Sequence, residues 1–228
     1  MNTKSTGETL TLTAADGHVF SAYVAEPEGT PRGGVIVVQD IFGVNAHFRA
    51  VADRYAALGY RAIAPALFDR VRPNVELPYT TAGRDEGRAV VADVTFEAAG
   101  LDLDATRAAL AAAGKVGIVG FCWGGTVGWT SVTRFDGFAA ASCYYPGRIQ
   151  EFAAETPRCP VQFHFAEHDH SIGPAEIDVV RAAQHANVEI FVYPASHGFN
   201  CDVRAEYDAP SATLARDRTL RLLREHVG

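Results

Sequence analysis

The 228-residue chain is predicted to be of the α/β class, with a mostly parallel central sheet, an antiparallel hairpin at its N-terminal end and helices on both faces. Three observations predict this. Residues 34–39 (GVIVVQ) and 115–121 (KVGIVGF) are continuous apolar runs rather than alternating ones, the pattern of strands buried on both faces of a parallel sheet. Helical stretches separate the strand runs, which makes successive strands parallel. Residues 8–14 and 18–25 alternate and are rich in β formers, and Asp16-Gly17 between them is a strong hairpin signal.

After the hairpin, residues 27–34 read as a loop and 34–39 as the first parallel strand. Residues 40–45 form a loop, and Asn45 is placed to cap a helix over 46–58 that Gly59 ends. Residues 60–66 are the next strand, stopped near Pro65. Residues 68–82 hold Pro73 and Pro78 and read as a long surface loop, a feature often functional in a compact domain. The Ala-rich stretch 84–113 is helical with an interruption near Gly100, and Asp102 and Asp104 suit the first turn of its second half. Strand 115–121 enters a Gly-rich turn and then a helix over 126–134. Residues 138–145 are the following strand, closed by Pro146-Gly147, and 160–165 the one after, ending in the loop 166–173. Pro174 opens a helix to 186, 188–193 is the last strand, and a terminal helix starts at Pro210 with Leu220, Leu223 and Val227 on one face. No repeat, linker or low-complexity tract breaks this order, so one domain over 1–228 is expected.

Composition narrows the function. Hydrophobic residues are 48% and charged residues 21%, which argues against widespread disorder. A net charge of −7 supplies no basic stripe for phosphates, so no nucleic-acid partner is expected. No apolar run approaches the roughly 18 residues of a membrane span, and the polar N-terminus has no secretory h-region. The four cysteines, 122, 143, 159 and 201, lack a C-x-x-C pair and read as free thiols. A cytoplasmic enzyme, monomeric or a small homo-oligomer, fits these features.

Gly120-Phe121-Cys122-Trp123-Gly124 has the Gly-x-nucleophile-x-Gly form of the elbow in α/β-hydrolases, a sharp turn between strand and helix. In that fold the acid and then the histidine follow the nucleophile, each just past a strand end. Asp169 follows the strand ending at Phe165, and His197 follows the strand ending at Tyr193. The order Cys122, Asp169, His197 meets both conditions. Cys122 needs a base to act as a thiolate, which His197 supplies, while Asp169 holds the imidazole tautomer. The backbone N–H groups of Trp123 and Ile41 are candidate oxyanion donors.

Residues 39–45 (QDIFGVN), 120–125 (GFCWGG), 167–170 (EHDH) and 196–199 (SHGF) together resemble the dienelactone hydrolase family, the carboxymethylenebutenolidases. The resemblance runs from about Gly33 to the last helix. It implies an α/β-hydrolase fold and hydrolysis of a cyclic enol-lactone by a Cys-His-Asp triad, without metal or cofactor. The family's triad falls on Cys122, His197 and Asp169. Its glutamate in the loop after the first parallel strand, which partners the resting thiol, falls on Asp40. A substrate-binding arginine falls on Arg84. Cys201 stands where a second arginine is found, with Arg204 nearby, and Tyr144 matches a tyrosine near the pocket.

Blander readings stand beside these. Cys143 reads as an inert buried thiol and Cys201 as a loop residue. Asp40 reads equally as a loop cap, and Arg84 as a solvated helix-start arginine. His164, His168 and His170 flank Asp169 without an H-E-x-x-H signature, so no metal is expected. The rival functions are a broader carboxylesterase or peptidase, and a non-catalytic small-molecule-binding protein on the same fold.

Overall fold

The structure is a computed structural model and describes residues 7–228. Eight strands form one sheet: β1 (Glu8–Thr13), β2 (Val19–Ala25), β3 (Gly34–Val38), β4 (Arg61–Pro65), β5 (Val116–Phe121), β6 (Phe138–Tyr144), β7 (Val161–Ala166) and β8 (Val188–Tyr193). Their spatial order is β1-β2-β4-β3-β5-β6-β7-β8. β1 and β2 pair antiparallel, β2 joins β4 antiparallel, and every pairing from β4 to β8 is parallel. Strands β3, β5 and β7 are buried along their whole length, whereas the edge strand β1 is exposed at alternate positions. The continuous apolar runs thus sit where two helical layers cover them.

The helices are α1 (Ala46–Ala57), α2 (Thr81–Ala92), α3 (Phe96–Ala109), α4 (Trp123–Arg134), α5 (Pro174–Ala182) and α6 (Ala209–His226). Successive β5 residues reveal the two layers, because side chains alternate across a strand. A Cβ on Gly117 would meet Leu223 of α6, whereas Ile118 faces Gly128 of α4. α1 shares the α6 face, where the two helices line one cavity, and α3 packs on α4. Asn45 caps α1 through its side-chain oxygen, which accepts from the amides of His47 and Phe48.

Three expectations are corrected. The break in the Ala-rich stretch lies at residues 93–95 rather than near Gly100, because Thr95 accepts from the Ala98 amide and starts a new helix. Gly100 is inside α3, where a Cβ would come within 2.6 Å of Phe135, so it serves helix packing. Asp102 is consequently mid-helix and not in a first turn. Its fully buried carboxylate meets Arg70 at 2.7 and 2.8 Å and His18 at 3.2 Å.

Residues 68–82 are also not a free surface loop. Leu67–Arg70 forms a 3-10 turn, Phe68, Val75 and Leu77 are buried, and a bridge joins Gly43 to Glu76. The apolar residues in this stretch close the core beside the β3 loop, and α2 already begins at Thr81. Finally, α4 starts at Trp123 and not at Thr126, directly after Cys122. Among the described residues no helix is long and apolar enough to cross a membrane.

Candidate active site

Cys122 joins β5 to α4 with φ 54° and ψ −121°, a left-handed φ for a residue with a side chain. Such a conformation costs about 1–3 kcal/mol and persists only where the surroundings impose it. Here the Cys122 amide donates to the Tyr144 carbonyl at 2.9 Å, and the Cys122 carbonyl accepts from the Gly125 amide at 2.9 Å. Two glycines leave room for the turn. A Cβ on Gly120 would lie 2.2 Å from the Gly124 carbonyl oxygen, and one on Gly124 would lie 2.1 Å from that of Gln39.

His197 and Asp169 converge on this turn from loops beyond β8 and β7. His197 Nε2 is 3.2 Å from Cys122 Sγ, and Nδ1 is 2.7 Å from Asp169 Oδ2. A carboxylate only accepts, so the Nδ1–H donates to Asp169 and Nε2 faces the thiol. Asp169 is itself held: Oδ1 accepts from the amides of Ser171 at 2.7 Å and Ile172 at 3.1 Å, and its side chain is 1% exposed. Burial pushes the imidazole toward its neutral form, but Cys122 and Asp169 on either side outweigh it and raise His197 to about 10. The site is built to hold a proton on this ring.

The loop after β3 closes the other side. The backbone N–H groups of Ile41 and Trp123 have no hydrogen-bond partner among the described residues, and both residues line the cavity that Cys122 opens into. Asp40 is buried and lines it too, with Oδ1 accepting from the Phe42 amide at 2.8 Å. Burial raises Asp40 from 3.8 to about 7, against the Phe42 amide and the charges of Arg204 and His197. Among the described residues no hydrogen bond joins Asp40 to Cys122; the one side-chain contact of its carboxyl is the Phe42 amide on Oδ1.

The cavity encloses about 940 Å³ including its open mouth. Arg84 from α2 and Arg204 from the loop after His197 both line it. Arg84 reaches only Asp85, at 3.6 Å, whereas Arg204 pairs with Glu206 at 3.2 Å and lies over the rings of Phe42 and Tyr79. Cys201 is buried and does not line the cavity, whereas Arg204 does.

Tyr144 does not line this cavity, which corrects its expected substrate-binding place. It is the last residue of β6, and its side chain points to the α6 layer, where its hydroxyl meets Thr219 Oγ1 at 2.7 Å and its ring stacks on His164. The next residue, Tyr145, turns back at φ 36° and sets its ring 4.9 Å from that of His197. Tyr145 carries no sequence signal of its own. Arg88 and Arg148 also line the cavity unannounced. Arg88 stands one helical turn after Arg84, and that i, i+4 spacing could have revealed it. Arg148 is held outward by both oxygens of Glu151 at 2.7 Å. His170 reaches the same cavity, with its ring 5.8 Å from that of His197. Among the described residues no group of three or more His, Cys, Asp or Glu side chains is arranged to hold a metal ion.

The mostly parallel eight-stranded sheet, its antiparallel N-terminal hairpin and its helical layers define an α/β-hydrolase fold. The profile of the dienelactone hydrolase family matches residues 20–227, and the chain belongs to that family, a family of carboxylic ester hydrolases. A Synechocystis protein provisionally named a carboxymethylenebutenolidase is 35% identical, with 91% of this chain and 92% of the relative covered. An Escherichia coli protein with the same provisional name is 32% identical, covering 96% of this chain and 87% of the relative. The crystal structure of a Klebsiella pneumoniae protein, provisionally a dienelactone hydrolase, superposes with a TM-score of 0.82 at 31% identity, covering 96% of this chain and all of that one.

Proposed function

We propose that this hydrolase opens small lactones or esters that carry a carboxylate, through a Cys122–His197–Asp169 triad and a covalent acyl-enzyme. The observation that carries the reading is the unbroken hydrogen-bonded line from Cys122 Sγ through His197 to Asp169, opening onto a cavity with Arg84 and Arg204 in its wall.

His197 Nε2 takes the thiol proton, and Sγ attacks the carbonyl carbon. The carbonyl electron pair moves onto oxygen, where the free N–H groups of Ile41 and Trp123 receive it. As the tetrahedral species collapses, the ester or ring oxygen leaves and takes the proton from Nε2. In a lactone that released oxygen stays tethered within the acyl group. Water then gives a proton to His197 and its oxygen to the acyl carbon, and the thioester C–S bond breaks. Sγ regains the proton and the acid departs. Asp169 holds the Nδ1–H throughout and offsets the imidazolium charge. Thiolates are good leaving groups, so the chemistry suits activated esters such as enol-lactones better than amides. Arg84 and Arg204 draw the substrate carboxylate toward the mouth.

Hydrolysis of an activated ester with and without a carboxylate tests this. Cys122→Ala and His197→Ala are expected to abolish turnover of both while the fold stays intact. Arg84→Ala is expected to raise KM about tenfold for the carboxylate-bearing ester alone, the loss of one charge-assisted contact. Full activity in either of the first two variants would sink the mechanism.

A further inference from the structure

The loop that offers the Ile41 amide is gripped by backbone on several sides. At its start the Gln39 carbonyl oxygen backs onto Gly124 of the elbow, and further on Gly43, at φ 80°, lies against the Val75 carbonyl. The Phe42 carbonyl accepts from the Leu77 amide at 2.9 Å. Between these points the peptide joining Ile41 to Phe42 is held at both ends. Its N–H donates to Asp40 Oδ1 at 2.8 Å, and its carbonyl oxygen rests against Gly87 of α2. A Cβ on Gly87 would overlap that oxygen and stand 3.0 Å from the carbonyl carbon.

α2 has few other footholds. Its buried residues are Gly83, Gly87 and Val90, and Gly83 meets the Pro78 carbonyl in the same manner. Glycine inside a helix is unfavourable relative to alanine, so its presence at 87 calls for a packing reason. Here the missing side chain lets the helix come down onto the Ile41 carbonyl. Arg84, Arg88 and Val91 of the same helix line the reaction cavity, so the seat at Gly87 also sets where that wall stands. The Ile41 amide has no hydrogen-bond partner among the described residues. Peptide groups are rigid planes, so with the 41–42 plane pinned, the plane that bears the Ile41 N–H can turn only about the two bonds of the Ile41 Cα.

We propose that Gly87 is a positioning residue for the hydrolysis: its lack of a side chain seats α2 on the Ile41 carbonyl and thereby aims the Ile41 N–H at the developing oxyanion. This rests on the oxyanion role given above to Ile41. A larger residue at 87 drives the Ile41–Phe42 peptide and α2 apart and turns the N–H away. Cys122, Asp169 and His197 stay in place, because they stand beyond the ends of β5, β7 and β8.

Two reactions of Cys122 test this. Hydrolysis of p-nitrophenyl acetate, which has no carboxylate for Arg84 to hold, passes through an oxyanion. Alkylation by iodoacetamide displaces iodide from a CH2 carbon and forms none. Removing one oxyanion donor costs about 10²–10³-fold in kcat, so displacing it in Gly87→Ala is expected to lower kcat about 10- to 10²-fold with KM little changed. Alkylation of Cys122 is expected to keep its wild-type rate, which also certifies a folded variant with its triad assembled. Gly100→Ala is the matched control. It puts a Cβ 2.6 Å from Phe135 inside α3, and is expected to lower the melting temperature while leaving both reactions unchanged. Wild-type kcat in Gly87→Ala, an equal loss in Gly100→Ala, or alkylation falling along with hydrolysis would each overturn the proposal. So would label on all four cysteines of Gly87→Ala, the mark of an unfolded chain, which would make Gly87 a residue of the fold alone. Failure of the parent reading shows elsewhere, as undiminished hydrolysis in Cys122→Ala.

Discussion

Asp169 and His197 meet at 2.7 Å, and the carboxylate that makes this contact is anchored on its other oxygen by two backbone amides. The ring is therefore oriented by the loop after β7 and not only by its own segment. That anchoring makes the tautomer at Nε2 a property of the fold.

Replacing Asp169 with Asn removes the acceptor for Nδ1–H while keeping the shape. Ester hydrolysis is expected to fall about 10³–10⁴-fold with the melting temperature little changed, since a mis-set tautomer leaves Nε2 unable to take a proton. A drop of less than about tenfold in steady-state rate would remove Asp169 from the mechanism.

The four cysteines should separate cleanly by reactivity. Cys143, Cys159 and Cys201 are 0, 6 and 4% exposed, while Cys122 is partly exposed in its cavity. Burial pushes the Cys159 thiol up to about 12 and Cys201 to about 11, and Cys143 further still. Iodoacetamide at neutral pH is expected to add one label, at Cys122, by peptide mass mapping. Label on Cys201 in the native protein would contradict the burial of that loop.

Asp40 gives a pH signature in stability. Burial raises its folded value from 3.8 to about 7, so the folded state binds more protons than the unfolded one between those limits. Stability contributed by this group is complete at low pH and falls as pH rises through that window. Asp40→Asn keeps an oxygen for the Phe42 amide and cannot ionise. It is expected to stabilise the protein at pH 8 by about 2–4 kcal/mol, with the gain vanishing below about pH 4. Chemical denaturation at the two pH values checks this, and equal stability changes at both would refute it.

Arg70 neutralises the buried Asp102 carboxylate with two contacts and also reaches Asp16 at 2.8 Å. Arg70→Ala leaves that carboxylate buried with only His18, and a loss of about 3–5 kcal/mol is expected. Adding Asp102→Leu should restore most of it, because the unpaired charge and not the missing guanidinium causes the loss. Urea unfolding of the single and double variants measures both.

Much of the layout was legible because each signal is local. Asp16-Gly17 marks a turn, Asn45 a cap, and uninterrupted apolar runs mark strands covered on both sides. Gly100 misled because a glycine reads as a break, whereas here it yields room to Phe135, a residue 35 positions away. Phe68, Val75 and Leu77 misled in the opposite way, since two prolines nearby made a core-closing segment look like solvent-facing loop. Tyr144 and Tyr145 are adjacent, and only the left-handed turn at Tyr145 decides which of them meets His197.

The sequence alone determined the parallel α/β architecture, the elbow at Cys122 and the order in which Asp169 and His197 follow it. These depend on periodicity, turn chemistry and strand ends, all written within a few residues of one another. Tertiary structure alone decided that Asp40 Oδ1 accepts from the Phe42 amide, and that Arg84 and Arg204 both line the cavity of Cys122 while Cys201 does not. Those facts depend on where α2 and the loops after β3 and β8 pack against the sheet, and side-chain directions set by packing leave no periodic trace in a single chain.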